Sequence, residues 1–186
     1  MISKENKMAK HGIFINHRHT NRGLAGRIYD FFERKGISPF LDNHSLSQGE
    51  YRRDLIEVIK ETPYFLILLS NGVLDNLSAD GMYYQELETA FNKSDRRIIV
   101  ISIGDFKFPQ NLPEPIKSIS ECNFYQLALD MSNFHEVMER VFEKDISQEL
   151  IRDVLNWKTL YTSKGNTYLM PRSKLEAEIA TLENRF

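Results

Sequence analysis

Residues 64–70 read Tyr64-Phe65-Leu66-Ile67-Leu68-Leu69-Ser70, an apolar run of strand length closed by a serine. A strand with one wet face alternates apolar and polar residues. A run without alternation is covered on both faces, as an inner strand of a parallel sheet is. Arg97 to Ile103 (RIIVISI) repeats the pattern. Helical patterns border both runs. Tyr51, Leu55, Val58 and Ile59 share one helix face, and Pro63 ends that helix. Between the two strands, a polar segment from Asn71 to Asp80 precedes a helix carrying Tyr83, Glu86, Leu87, Ala90 and Phe91. Toward the N-terminus, Gly12 to Asn16 (GIFIN) predicts a first strand. Leu24, Ile28, Phe31 and Phe32 predict a helix stopped by Gly36, and Ser38 to Asp42 a second strand that runs into the loop NHSLSQGEY. Toward the C-terminus, a loop through Pro109, Pro113 and Pro115 leads to a short strand, Asn123 to Leu127. A helix with Phe134, Val137, Met138, Val141 and Phe142 follows. The alternation predicts a doubly wound α/β domain with a five-stranded parallel sheet in the flavodoxin-like order 2-1-3-4-5.

From Asp145 to Phe186 the pattern changes to a helical tail. It has no strong strand and holds the single tryptophan, Trp157. Asp145 with Gln148 and Ser173 with Glu176 have capping-box spacing, which predicts two helices separated by Ser163 to Thr167. In the second, Leu175, Ile179, Leu182 and Phe186 form a stripe that must be buried against this domain, a second copy or a further domain.

Composition narrows the function. The 186 residues carry 24 Lys and Arg against 26 Asp and Glu, a net charge of −2, so a general nucleic-acid binder is not expected. Cys122 is the one cysteine, which excludes an internal disulfide and a Cys-rich zinc site. The polar start MISKENKMAKHG lacks a signal-peptide core, and no apolar run approaches the ~20 residues that span a bilayer. A soluble, cytoplasmic protein without a membrane partner is expected.

In such a sheet, ligands bind beyond the carboxyl ends of the strands where strand order reverses, here between the first and third. The loops Asn16 to Arg22, Asn43 to Tyr51 and Ser70 to Met82 are therefore the candidates. A receiver domain would need acidic residues after strand one and an aspartate after strand three. Asn16, His17 and Ser70 stand there instead. HRHTNRG is not a flavodoxin phosphate loop, and neither GxxxxGK[ST] nor GxGxxG occurs. His17 and His19, two apart in a loop without a carboxylate, do not make a metal site. Arg18 suits phosphate, because its planar fork pairs with two oxygens at once.

Read in order, these segments resemble the TIR (Toll/interleukin-1 receptor homology) family over residues 11–144, with 145–186 as a C-terminal extension. FINHRH (Phe14 to His19) is similar to the family's first box, a strand ending in F-I-S-Y or F-I-S-H. Ala25-Gly26-Arg27-Ile28-Tyr29-Asp30 resembles the A-G-R-L-Y-D helix of a bacterial subgroup, and Phe40-Leu41-Asp42 with Gly49 resembles the second box. Ser70 closes strand three, as in many members, and Glu86-Leu87-Glu88-Thr89-Ala90 is similar to E-L-x-x-A. The tail, with Trp157 and Tyr168-Leu169-Met170, resembles the segment after the domain in some larger bacterial proteins.

The resemblance implies cleavage of NAD+ between nicotinamide and ribose, with NAD+ as substrate and no bound cofactor. It maps the catalytic glutamate onto Glu86, where a carboxylate can bind ribose hydroxyls and stabilise an oxocarbenium-like transition state. Ligand contacts are expected from Asn16, His17, Arg18, His19, Asp42, His44, Leu46, Gly49, Ser70 and Tyr83, with Leu46 to Gly49 as a lid. Where catalytic members place a tryptophan four residues before the glutamate, this chain has Met82, beside Tyr83 and Tyr84. Products would be nicotinamide with ADP-ribose or cyclic ADP-ribose, in bacterial defence signalling to an effector or sensor. Self-association through TIR domains is implied, and a non-catalytic adaptor is the alternative.

Overall fold

Phe14, inside strand β1 (Ile13–Asn16), stacks between Phe40 of β2 (Pro39–Leu41) at 5.3 Å and Phe65 of β3 (Tyr64–Leu69) at 5.1 Å. The three rings are register partners, Phe14 lying opposite Phe40 on one side and Phe65 on the other. Parallel pairing continues from β3 to β4 (Arg97–Ile103) and from β4 to β5 (Asn123–Leu127), which gives the expected order β2-β1-β3-β4-β5. The computed structural model describes residues 12–41, 48–93 and 97–147, for 48–52 the backbone alone.

The helices α1 (Arg22–Arg34), α2 (Gln48–Glu61), α3 (Met82–Phe91) and α4 (Phe134–Val141) follow the strands as the apolar spacing predicts. Side chains alternate across a strand, so Phe14, Phe65, Ile67, Leu69 and Val100 share one face of the sheet. There they cluster with Leu55 and Ile59 of α2 and with Tyr83, Leu87 and Ala90 of α3. Their neighbours Ile13, Ile15, Leu66, Leu68, Ile99 and Ile101 take the opposite face and are at most 1% exposed. All six positions of β3 are buried, the reason its sequence shows no alternation.

Helix α1 ends as Gly36 predicts. At φ 76° the glycine occupies the left-handed region. The Ile37 N–H bonds the Phe32 carbonyl at 3.0 Å and the Gly36 N–H bonds that of Glu33 at 2.9 Å, the paired bonds of a Schellman motif. The turn reverses the chain directly into β2.

Three local expectations are corrected. The loop written as NHSLSQGEY is shorter, because residues 48–51, Gly49 among them, already belong to α2. Ser47-Gln48-Gly49-Glu50 has capping-box spacing, a start signal that the glycine obscures. A 3-10 helix, Ile116–Glu121, interrupts the proline-rich connection and buries Ile116 and Ile119 in the α2–α3 cluster. Asp145 does not cap a new helix. It lies inside a π-helical stretch, Phe142–Ser147, that continues α4, and the Ser147 hydroxyl donates to the Glu143 carbonyl at 2.9 Å.

The chain separates into two compact units, one ending at Met138 and one beginning at Glu139. Of the second, Glu139 to Ser147 is described, with Val141, Phe142 and Ile146 buried. The expected tail helices, with Trp157, Tyr168 to Met170 and the stripe ending at Phe186, lie outside the described residues.

Candidate active site

Asn16 is the last residue of β1 and shares the face of Phe14, two residues before it, so its side chain is directed at the layer of α2 and α3. Helix α3 turns Tyr83, Glu86, Leu87 and Ala90 toward the same layer, at the spacing of one helical stripe. The two elements bring together residues 70 positions apart. Asn16 Nδ2 donates to Glu86 Oε2 at 2.6 Å, with Asn16 1% and Glu86 7% exposed. From the sequence Glu86 reads as the border of the apolar face, but packing encloses it. Burying a carboxylate costs several kcal/mol, and a hydrogen bond to a charged group returns ~1.5–3 kcal/mol.

Arg18 leaves β1 in extended conformation, and its carbonyl accepts the Asn21 N–H at 2.8 Å to close a 3-10 turn, His19–Asn21. Its guanidinium lies over the ring of Tyr83, 4.4 Å from the centroid. Burial pushes the Tyr83 phenol well above its ordinary range, the Glu86 carboxylate adds to the rise, and the Arg18 cation opposes it. Asn16 Oδ1, Arg18 Nε and Tyr83 Oη are buried without a hydrogen-bond partner. Buried polar atoms are rarely left so, and these three, an acceptor, a donor and a hydroxyl, belong to the side chains that contact Glu86 or stack beside it.

The loops after β1 and β3 are tied across the point where strand order reverses. Asn21, 8% exposed, donates from Nδ2 to the Ser70 hydroxyl at 3.1 Å. Sequence reasoning did not single out Asn21, whose one signal was an amide in a candidate loop. Ser70 thus holds the neighbouring loop. His17 is half-buried, and His19 is exposed at the start of the 3-10 turn. Asp42, His44 and Leu46 lie outside the described residues, and Gly49 sits in the first turn of α2. Tyr83 offers one ring face already covered by Arg18, while the Tyr84 hydroxyl donates to Glu88 Oε1 at 3.3 Å. Met82, in the tryptophan position, packs against the α2–α3 cluster.

Among the described residues no group of three His, Cys, Asp or Glu side chains is placed to hold a metal ion. No helix among them is long and apolar enough to cross a membrane. A separate open cleft of about 480 Å³ lies between Leu74 to Leu77 and the stretch Pro109, Gln110, Asn111 and Pro113. It contains none of the expected site residues.

Two curated relatives are similar to this chain. One is NAD(+) hydrolase SARM1 of Danio rerio, 26% identical over 137 residues, 71% of this chain and 18% of that protein. The other is NAD(+) hydrolase sarm1 of Drosophila melanogaster, 28% identical over 129 residues, 65% of this chain and 9% of that protein. The chain therefore spans less than a fifth of the length of these relatives. Among solved structures, the fold is similar to the TIR domain of the Toll-related receptor TRR-2 of Hydra magnipapillata. There the TM-score is 0.50 at 16% identity, covering 74% of this chain and 98% of that one. It is also similar to a TIR-STING receptor of C. gigas, with a TM-score of 0.54 at 13% identity, covering 89% of this chain and 56% of that one. A family model described as TIR domain matches residues 13–138, and with the sheet order and the order of the boxes along it, this chain belongs to the TIR domain family.

Proposed function

We propose that the chain cleaves NAD+ at the bond between nicotinamide and ribose, with Glu86 as the catalytic residue. The observation that carries this is the Glu86 carboxylate, 7% exposed and held by Asn16 at 2.6 Å beside the stacked Arg18 and Tyr83. The two relatives named NAD(+) hydrolases support the same substrate. When the glycosidic bond breaks, its electron pair passes to the pyridinium nitrogen, nicotinamide leaves neutral, and positive charge develops on the ribose C1′ and ring oxygen. A fixed carboxylate beside the ribose accepts hydrogen bonds from its hydroxyls and stabilises that charge in a site of low dielectric. Water then adds to C1′ and loses a proton, giving ADP-ribose. Capture by a nitrogen of the adenine ring within the bound nucleotide gives a cyclic ADP-ribose instead. Arg18 supplies the positive charge for the pyrophosphate, a planar donor set that matches phosphate oxygens. The biological role is signalling in defence, through an effector or sensor that reads the product.

The test is concentrated protein incubated with NAD+, with products separated by chromatography and Glu86→Ala run in parallel. Nicotinamide release by the wild type and a loss of about 100-fold or more in the variant are expected. Equal turnover in both refutes the assignment of Glu86.

A second reading, self-association without catalysis, is favoured by one feature. Phe106, Phe108 and Phe124 form a chain of edge-to-face rings, with centroids 5.0 and 5.4 Å apart, reaching the edge strand β5. Phe108 is 39% and Phe124 37% exposed, an apolar patch suited to another TIR domain. Absence of turnover even after forced assembly, with concentration-dependent association lost in Phe124→Ser, would favour that reading.

A further inference from the structure

We propose that Asn16 is the positioning residue of Glu86: its Nδ2–H holds carboxylate oxygen Oε2 and so fixes the direction in which the carboxylate meets the ribose. The inference rests on the proposed NAD+ cleavage at Glu86 and assigns Asn16 a role separate from ligand contact. Asn16 is 1% exposed and its amide is 2.6 Å from the carboxylate, a short charge-assisted bond. An ionised carboxylate only accepts, so the atom facing Glu86 is Nδ2 and the amide's orientation is determined. The other amide atom, Oδ1, is buried without a partner. An asparagine retained to brace the fold would have both ends satisfied, because an unmatched buried polar atom costs ~1–3 kcal/mol. Here the amide serves the carboxylate and leaves its second end unmatched.

The geometry supports the role from both sides. Asn16 ends β1 opposite Ile67 of the fully buried strand β3, one residue beyond the part of β1 that is paired on both sides, so its backbone is held by the sheet. Glu86 projects from a helix and has several rotatable bonds. A rigid strand end that grips one oxygen of a flexible carboxylate removes its rotational freedom before substrate arrives, which raises the chemical step more than binding. Among the charged and titratable neighbours in the described residues are Arg18 and Tyr83, stacked on each other, with Tyr83 feeling both Glu86 and Arg18. His17 is next in sequence.

The experiment measures kcat and KM for NAD+ from about pH 5 to 9 in wild type, Asn16→Ala, Asn16→Asp and Glu86→Ala. Asn16→Ala is expected to lower kcat about 10- to 100-fold with KM within about threefold, since orientation and not affinity is lost. The acid limb of its profile moves to higher pH, because a donor to the charged carboxylate is gone. Asn16→Asp sets a second carboxylate against the first. It is expected to be nearly inactive at neutral pH and to recover toward acid, where the new carboxyl is protonated and donates again. A merely structural role gives no such acid recovery. Wild-type kcat and pH profile in Asn16→Ala, alongside dead Glu86→Ala, overturn the positioning role and leave the proposed function standing. A raised KM with unchanged kcat also overturns it and makes Asn16 a ligand contact. No turnover in wild type, or turnover indifferent to Glu86→Ala, overturns the function and this role with it. Should Asn16→Ala fail to fold, Asn16→Asp and Asn16→Ser decide by the same profile.

Discussion

Replacing the buried polar pair with an apolar one, Asn16→Val with Glu86→Leu, is expected to abolish NAD+ turnover and raise thermal stability. Each single change carries an opposing cost. Asn16→Val leaves the carboxylate, 7% exposed, without its 2.6 Å amide donor, a loss of about 2–3 kcal/mol. Glu86→Leu places an apolar side chain beside Leu87 and Ala90 and gains ~1.5–3 kcal/mol of burial. It also orphans the Asn16 amide at ~1–3 kcal/mol, so the net change is near zero. The double variant removes both members of the Asn16–Glu86 hydrogen bond, so neither orphans the other, a gain of ~1–3 kcal/mol by comparison with buried polar pairs replaced elsewhere. In a chain of this size 1 kcal/mol corresponds to ~2–4 °C. Calorimetry at neutral pH should therefore place Asn16→Val ~4–12 °C below wild type and the double variant ~2–12 °C above it. A double variant melting below wild type would refute the reasoning, because the pair would then be holding the fold together.

Further outcomes follow from other parts of the molecule. Arg18→Lys keeps the charge but loses the planar face on Tyr83 and the paired donors, so KM for NAD+ is expected to rise about tenfold with a smaller change in kcat; an unchanged KM would remove Arg18 from the phosphate contact. Gly36→Ala forces a Cβ into the left-handed region at φ 76° and is expected to cost ~1 kcal/mol in chemical denaturation; an unaltered midpoint would mean the turn relaxes. Burial, with Glu121 adding, pushes the Cys122 thiol from 9.0 up to about 11. An acid whose folded pKa is raised contributes its stability below pH 9 and loses it as pH rises toward 11, since the unfolded chain ionises first. Denaturation midpoints should fall over that window, and less in Cys122→Ala. Equal slopes in the two would refute the assignment to Cys122.

Strand β3 was legible because burial on both faces removes the need for polar residues, so its apolar run stands out without any knowledge of its neighbours. The helices were legible because each buries one stripe, and Gly36 because a left-handed turn tolerates few other residues. The 3-10 helix at Ile116–Glu121 was hidden, since six residues hold too few turns to show a period and the surrounding prolines read as loop. The start of α2 was hidden by a glycine that lowers helix propensity and is overridden by the rest of the helix.

The order of the elements and the candidate loops at the strand ends were readable from residue types and spacing, and the resemblance to the TIR family singled out Glu86 as the candidate catalytic group. Which side chains meet was decided only by tertiary structure. The register of β1 beside β3 and the rotation of α3 against the sheet set Asn16 on Glu86 and Arg18 on Tyr83. Those contacts join positions far apart in sequence, and no local pattern encodes them, because each depends on packing two independently formed elements. The sequence determined which groups were available at the strand ends. Packing decided that Glu86 would be enclosed, that Ser70 would hold Asn21, and that Asn16 would face a carboxylate.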